Sequence, residues 1–251
     1  MTSINTDMKL PVAVVTGAGS GIGFAVVEKL LLNDYIVYAC TRSNTNSLKK
    51  LIESDVSSAA TRLFIKQFDI NDSSSVKAIS QEIFKQFKRV DVLINSAGIP
   101  QGKLFLLSKT SDIFETFETN FFSLLSFTQS IARIMGRMKN GSIINISSVT
   151  SFRADPGTLA YGSSKAALNY ATQVLSKELA PQGIRVNAVA PGITETSMLT
   201  KMDSKAIDDQ LESSSLKKIA KPSDVAALVF FLCSKESSHI TGQIIRVDGG
   251  Q

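Results

Sequence analysis

Short apolar runs alternate with amphipathic stretches along the 251-residue chain. The apolar runs are rich in β-branched and aromatic residues, and they predict seven strands, at residues 10–16, 35–41, 62–70, 90–98, 141–148, 184–192 and 242–250. Helical periodicity fills most of the intervals, at residues 24–34, 73–87, 111–138, 165–180 and 223–234. Strands and helices therefore alternate over nearly the whole chain.

Several of the predicted strands lack an alternating polar face, which is typical of strands covered by helices on both sides. Together with the alternation, this predicts an α/β fold, a single Rossmann-type doubly wound domain with a seven-stranded parallel sheet and helices on both faces. We expect residues 1–251 to form one domain, since no repeat or linker interrupts the pattern. The polar stretch 193–221 directly follows a strand and is expected to be a substrate lid.

Composition and charge argue against two classes of protein, those that bind nucleic acid and those that span a membrane. Hydrophobic residues make up 43% of the chain, and the net charge of +5 comes from scattered basic residues without interleaved aromatics, so nucleic acid is not an expected partner. No apolar run approaches the roughly 20 residues of a membrane span, and the N-terminus does not have the pattern of a signal peptide, so we expect a cytoplasmic protein. Cys40 and Cys233 are far apart and in no metal-ligand spacing, and we expect buried thiols and no metal.

A glycine-rich turn joins the first strand to the first helix. Gly17, Gly21 and Gly23 would let the backbone approach a pyrophosphate there, and the helix N-terminus would supply N–H groups. The second strand ends in Thr41 and Arg42, where an acidic residue would bind the 2′-hydroxyl of NAD. Arg42 would instead pair with a 2′-phosphate, so the expected cofactor is NADP(H) rather than NAD(H), unless Arg42 is only a solvated loop residue.

The motif "YGSSK" places Tyr161 and Lys165 one helical turn apart. The chain has one histidine, His239, so the usual acid/base residue is scarce. A cation about 4 Å from a phenol contributes on the order of 4 kcal/mol at an effective dielectric of about 20. Lys165, together with a positively charged oxidised nicotinamide nearby, is therefore expected to lower the pKa of Tyr161, which would make Tyr161 a general acid/base. Taken alone, such a pair is more often part of a helix surface.

The order of the motifs "TGAGSGIG", "NSAG", Ser148, "YGSSK" and "APG" resembles the short-chain dehydrogenase/reductase family over nearly the whole chain. The segments "PGITETSM" and "ITGQIIRVDGG" are most similar to its β-ketoacyl-acyl carrier protein reductase branch. Ser148 lies 13 residues before Tyr161, which is the spacing of that family. This joint occurrence favours chemistry over packing.

The resemblance implies a role for each matching residue. The cofactor phosphates would be lined by Thr16, Gly17, Ser20, Gly21, Ile22 and Gly23. The rest of the cofactor would meet Asp69 and Ile70 at the adenine, Asn95, Ala97 and Gly98 at the ribose, and Pro191, Gly192, Ile193 and Thr196 at the nicotinamide. In catalysis, the resemblance implies Tyr161 as proton donor, Ser148 on the developing alkoxide, Lys165 on Tyr161 and the nicotinamide ribose, and Asn120 as anchor of a water chain.

The resemblance implies NADPH-dependent reduction of a ketone, most simply a 3-oxoacyl thioester carried by an acyl carrier protein. Two alternatives stay open: a dehydrogenase of a small secondary alcohol, sugar or steroid, and a catalytically idle NADP-binding scaffold. Ser20 stands where many NADP-dependent relatives have Arg, and Gln182 where carrier-protein reductases often have a basic residue. Arg153 either meets an anionic group or points to solvent.

The resemblance also implies a homodimer or homotetramer. Relatives pair through the helices at 111–138 and after Tyr161, and through the final helix and strand. The segments "SLLSFTQSIARIM" and "VAALVFFLC" have more apolar positions than one buried helix face requires.

Overall fold

The computed structural model describes residues 10–54, 58–201 and 204–251. Most of the N-terminal segment and part of the predicted lid fall outside them. Seven strands are present, β1 to β7 in chain order: Val12–Thr16, Ile36–Thr41, Leu63–Gln67, Val92–Asn95, Gly141–Ile146, Ile184–Pro191 and Ile244–Val247. They form one sheet of order β3-β2-β1-β4-β5-β6-β7, and every pairing is parallel. The predicted fold class is confirmed.

The helices, α1 to α9 in chain order, are Gly21–Leu31, Asn46–Glu53, Ala59–Arg62, Ser73–Phe87, Thr110–Phe117, Ser123–Met138, Leu159–Leu179, Ser204–Ser213 and Pro222–Cys233. A five-residue π-helix, Glu118–Phe122, joins α5 to α6. Short 3-10 turns occupy Phe105–Leu107, Val149–Ser151, Ala180–Gln182, Leu199–Lys201 and Lys235–Ser237. No helix in the described ranges is long and apolar enough to cross a membrane.

Two apolar layers, one on each face of the sheet, explain the continuous apolar strands. On β1, Ala13 and Val15 pack into one layer with α1, α2 and α9, whereas Val14 packs into the other with α4 and α6. Each strand residue therefore meets helices whichever way its side chain points. The alternation brings the loops after β1, β2, β4, β5 and β6 to the same edge of the sheet, where ligands of such sheets bind.

The fold differs from the sequence-based expectation mainly between elements. Helices α2 and α3 were not predicted, and the expected continuous helix at 111–138 is interrupted by the π-helix. The stretch 193–221 contains α8 and a 3-10 turn instead of being patternless. Its two ends meet at a parallel bridge between Thr194 and Ala220.

Candidate active site

The glycine turn after β1 packs directly against the end of β4. Gly17 has a φ of +64°, and a Cβ there would lie 2.7 Å from the carbonyl oxygen of Ser96. A Cβ on Gly23 would lie 2.3 Å from the carbonyl oxygen of Gly17. Positive φ and close backbone contact both require glycine at position 17. The turn is therefore compact, and helix α1 starts immediately beside it.

The N-terminus of α1 has the chemistry that a phosphate group requires. Its N-cap residue Ser20 makes no side-chain capping hydrogen bond, and no acidic residue lies in the first turn. The first N–H groups of a helix have no partner within it and carry positive potential, which favours anions. Thr196, from beyond β6, lies over this start, because a Cβ on Gly21 would be 3.0 Å from its Cγ2. These residues fit a pyrophosphate.

At the end of β2, Thr41 is buried and Arg42 is exposed. The Arg42 side chain makes no hydrogen bond or ion pair with any residue that the structure describes, so its guanidinium is free to meet a ligand. Gly19 was not among the expected site residues, but a Cβ there would lie 2.7 Å from Oγ1 of Thr41 and 2.3 Å from the carbonyl oxygen of Asn44. The β2 loop thus closes against the glycine turn.

Past β3, the carboxylate of Asp69 accepts a hydrogen bond from the backbone N–H of Asn71 at 2.9 Å. The same loop is tied to β2, because the N–H of Phe68 donates to the carbonyl oxygen of Thr41 at 3.1 Å. Asp69 is exposed and Ile70 half-buried. The residues expected at the adenine therefore lie on the loop that borders the end of β2.

The end of β4 is fixed to β1 by Thr16. Its Oγ1 accepts hydrogen bonds from the N–H groups of Ser96 and Ala97, both at 3.1 Å. Asn95 differs from expectation: its side-chain amide donates to Oγ1 of Thr128 at 2.7 Å and to Oδ1 of Asn145 at 2.8 Å. This amide crosslinks the buried sheet because Asn95 is the last residue of β4 and its side chain faces α6 rather than the loops. Ala97 and Gly98 remain at the edge.

Beyond β5, the end of the strand and helix α7 bring together Ser148, Tyr161 and Lys165. Ser148 lowers the pKa of Tyr161, because as a hydrogen-bond donor it favours the phenolate. Lys165 is 4% exposed, and its Nζ donates to the carbonyl oxygen of Ile146 at 2.8 Å. Nζ also lies 5.8 Å from the centroid of the Tyr161 ring. Three polar side chains from separate parts of the sequence thus form one cluster.

Burial sets the protonation of this cluster. It raises the pKa of the Tyr161 hydroxyl, and the hydrogen bond from Ser148 offsets only part of that rise. It lowers the pKa of Lys165 from 10.5 to about 8. Within the chain itself Lys165 does not lower the pKa of Tyr161, and the expected lowering also required a positively charged nicotinamide beside the pair. Nζ of Lys165 lies over the Tyr161 ring and donates to a backbone carbonyl oxygen. Desolvation also disfavours its protonated form.

Asn120 lies in the π-helix and is fully buried. Its Oδ1 accepts from the N–H of Ile99 at 2.8 Å, and its Nδ2 donates to the carbonyl oxygen of Ile99 at 3.0 Å and to Oγ of Ser164 at 3.2 Å. A Cβ on Gly98 would lie 3.2 Å from Oδ1 of Asn120 and 3.5 Å from Nζ of Lys165. Asn120 therefore joins the β4 end to the helix of Tyr161 and Lys165. Single π-turns in α-helices are frequent at functional sites.

Strand β6 ends at Pro191, and the N–H of the next residue, Gly192, donates to the carbonyl oxygen of Val247 at 2.9 Å. Ile193 is buried and accepts from the N–H of Ala220 at 3.0 Å. This pairing fixes the base of the 193–221 segment and directs Thr196 towards the glycine turn. A cleft of about 540 Å³ opens beside it, and it is lined by α1, by residues 195–197 with Thr200, and by residues 221–223 at the start of α9.

Of the two expectations for Arg153, the structure shows contact with an anionic group, and that group belongs to the chain itself. Its guanidinium forms an ion pair with Asp155, at 3.2 Å between Nε and Oδ2, and its Nη1 donates to Oγ of Ser213 at 3.0 Å. Ser213 is the last residue of α8. Arg153 thus links the loop between Ser148 and Tyr161 to the segment 193–221. No sequence pattern indicated Ser213 as its partner.

Comparisons with known proteins agree with this arrangement. A sequence model of the family described as Enoyl-(Acyl carrier protein) reductase matches residues 17–251. The 3-oxoacyl-(acyl-carrier-protein) reductase of Thermotoga maritima is 36% identical over 241 residues, which are 95% of this chain and 96% of that protein.

Two solved structures are similar over almost the whole chain. ElxO with NADP bound has a TM-score of 0.86 and 33% identity, and the match covers 96% of this chain and 98% of that one. A 7α-hydroxysteroid dehydrogenase complexed with NADH and 7-oxo glycochenodeoxycholic acid has a TM-score of 0.89 and 27% identity, with coverage of 96% and 93%. The sheet order, the glycine turn at the start of α1 and these matches lead to one conclusion: the chain belongs to the short-chain dehydrogenase/reductase family of oxidoreductases.

Proposed function

We propose that this oxidoreductase uses NADPH to reduce a ketone to a secondary alcohol, and that its substrate is a 3-oxoacyl thioester held by an acyl carrier protein. The observation that carries the proposal is the cluster of half-buried Tyr161 with buried Ser148 and Lys165, beside a glycine turn that fits a pyrophosphate. The choice of substrate is supported by the 36% identity with a 3-oxoacyl-(acyl-carrier-protein) reductase.

In the proposed reaction, the bound cofactor supplies the hydride that the carbonyl carbon accepts. Tyr161 then transfers its phenolic proton to the carbonyl oxygen, and Ser148 donates a hydrogen bond to the same oxygen while negative charge develops there. The raised pKa of Tyr161 keeps its proton in place at neutral pH, which suits an acid in the direction of reduction. Lys165 would hold the ribose, and Asn120 would keep α7 aligned with the β4 end.

The preference for NADPH rests on Arg42, whose exposed side chain is free to form charge-assisted hydrogen bonds with a 2′-phosphate. It is supported by the similarity to ElxO with NADP bound. The similar dehydrogenase that binds NADH shows that the fold accepts either cofactor. We expect tighter binding of NADPH than of NADH in a fluorescence titration.

Arg42→Asp tests the reason for that preference. It places a carboxylate where it would repel a 2′-phosphate and accept a hydrogen bond from a 2′-hydroxyl, so NADH should become the tighter ligand. The exposed Lys77→Asp, on α4, is a control with the same charge change. Equal or tighter binding of NADH by the wild type would refute the NADP assignment.

The substrate is tested by comparing kcat/KM for acetoacetyl thioesters with a panel of free ketones that includes oxosteroids and small sugars. Higher efficiency with the thioester, increased further when acyl carrier protein replaces coenzyme A, is the expected result. A free ketone as the best substrate would favour the alternative, a dehydrogenase of small secondary alcohols or steroids. Cofactor binding without turnover of any carbonyl would favour the scaffold alternative.

A further inference from the structure

A chain of hydrogen bonds reaches Ser148 from the residue two positions further on. Oγ of Ser148 accepts from the backbone N–H of Thr150 at 3.2 Å and from Oγ1 of Thr150 at 2.9 Å. A serine hydroxyl has one hydrogen and two lone pairs. Thr150 fills both acceptor positions, so the hydrogen of Ser148 must point elsewhere. That hydrogen is available to the hydroxyl of Tyr161, whose pKa Ser148 lowers.

We propose that Thr150 is a positioning residue whose two donors hold Ser148 as a hydrogen-bond donor towards Tyr161 and towards the substrate carbonyl oxygen. The inference rests on the proposed function, because the direction of the Ser148 hydroxyl matters only when Ser148 and Tyr161 act on a carbonyl. Without the Thr150 hydroxyl, Ser148 would accept only the backbone N–H and would be a weaker donor, since consecutive hydrogen bonds polarise one another.

The turn that carries Thr150 is held rigidly against the helix of Tyr161. The hydroxyl of Ser151 donates to the carbonyl oxygen of Ser148 at 2.5 Å and accepts from Nδ2 of Asn169 on α7 at 2.8 Å. The carbonyl oxygen of Thr150 packs on Gly162, where a Cβ would lie only 2.8 Å away. Thr150 therefore keeps a fixed distance to both Ser148 and the start of α7.

Thr150→Val tests the inference, because it keeps the shape and the backbone N–H and removes only the hydroxyl. We expect kcat to fall about three- to tenfold, the effect of one net hydrogen bond on a rate. The KM for the ketone and for the cofactor should stay within about twofold, because the lost interaction strengthens in the transition state. Thr150→Ser, which restores the donor, should recover most of kcat.

Two further variants keep the test decisive. Thr150→Ala removes the same hydroxyl with a smaller side chain and should match Thr150→Val, so a folding defect in either can be recognised by thermal unfolding. Thr116→Val is the control, since it removes a buried hydroxyl that donates to the carbonyl oxygen of Asp112 and does not touch Ser148. It should leave kcat unchanged.

The outcomes separate this inference from the proposed function. An active wild type with an equally active Thr150→Val overturns the role of Thr150 alone. A loss in Thr150→Ser as large as that in Thr150→Val also overturns it, because packing of the methyl group would then be the cause. A wild type that reduces no carbonyl with either cofactor overturns the proposed function, and this inference with it.

Discussion

Among single residues, burial acts on two ionisable groups of the cluster, the hydroxyl of Tyr161 and the amine of Lys165. Desolvation disfavours the charged form of each, so it keeps Tyr161 protonated and pushes Lys165 towards neutrality. The lysine stays buried with one hydrogen bond to the carbonyl oxygen of Ile146. Such a group weakens the fold, and its retention fits a functional role better than a structural one.

Tyr161→Phe should reduce kcat at least about 10²-fold and leave NADPH binding nearly intact, because general acid catalysis is typically worth ~10²–10⁴-fold. The substitution removes one hydroxyl and preserves packing. Paired rate measurements and cofactor titrations check this. A variant that keeps more than about a tenth of the wild-type rate would show that Tyr161 is not the acid.

Lys165→Ala should lower the rate and also weaken NADPH binding, since Lys165 is proposed to hold the ribose. The same two measurements, made beside those on Tyr161→Phe, distinguish the roles. Loss of rate with normal NADPH binding would remove the ribose contact from the proposal and leave only an effect on Tyr161.

Lys165→Met should stabilise the protein without cofactor at pH 7, by up to about 3 kcal/mol, because the pKa of the lysine falls from 10.5 to about 8 on folding. Between these two pKa values the unfolded chain binds more protons than the folded one, so wild-type stability should rise with pH. The gain from the substitution should be full below about pH 8 and decline towards pH 10.5. Chemical denaturation at pH 7 and pH 9.5 measures it, and a gain that does not shrink at the higher pH contradicts this account.

Among the helices and strands, those whose ends depend on neighbouring residues in the chain could be predicted from the sequence. Helix α4 was predicted with its correct ends, because Asp72 accepts the N–H of Ser74 at the start and Lys88 takes a left-handed conformation at the end. The strands were found from their apolar runs, although several end earlier than expected where the backbone turns into a loop. Helix α2 was missed because only Leu48 and Leu51 of its eight residues are buried.

Features that depend on distant partners were beyond the sequence. The π-helix around Asn120 has no residue pattern that distinguishes it from the helices on either side, and packing against Ile99 and Ser164 fixes it. The direction of the Asn95 amide depends on Thr128 and Asn145, which lie 33 and 50 residues away. The sequence alone was enough to place the site residues at strand ends. It was not enough to predict the direction of their side chains.

Arg153, on the loop before α7, contacts Ser213 at the end of α8, and this contact leads to a prediction. We propose that residues 193–221 form the lid and that the bond from Arg153 to Ser213 keeps it closed. Arg153→Ala should raise the substrate KM about two- to fivefold with little change in kcat, in line with the modest strength of exposed polar pairs. Proteolysis within 193–221 should become faster.

Lys217→Ala is the matched control for that variant. It breaks an exposed ion pair with Glu212 that lies within the same segment and does not reach the loop of Arg153. If it raises KM and proteolysis as much as Arg153→Ala does, the effect comes from general loosening of the segment and the link to Ser213 is not the cause.

At the scale of the whole molecule, apolar surface remains exposed on the elements next to the site. Phe114 on α5 is 70% exposed and Tyr170 on α7 is 71% exposed, and the turn Phe105–Leu107 adds further apolar side chains. Strand β7 is only partly covered although it ends the sheet. Large apolar side chains that remain exposed on neighbouring elements favour association with another chain.

We therefore expect a homodimer or homotetramer, in which α5, α6 and α7 of one copy pack on those of another, and β7 and α9 supply a second contact in the tetramer. Light scattering at micromolar concentration should give two or four times the 27.0 kDa of the chain.

Tyr170→Asp should shift the mass downwards, because it buries a charge in the first interface. Leu32→Asp, an equally drastic change at an exposed leucine on the C-cap of α1, should not. A monomeric wild type would refute the expected assembly. Dissociation by Leu32→Asp but not by Tyr170→Asp would mean that the interface lies on the side of Leu32 and not on that of Tyr170.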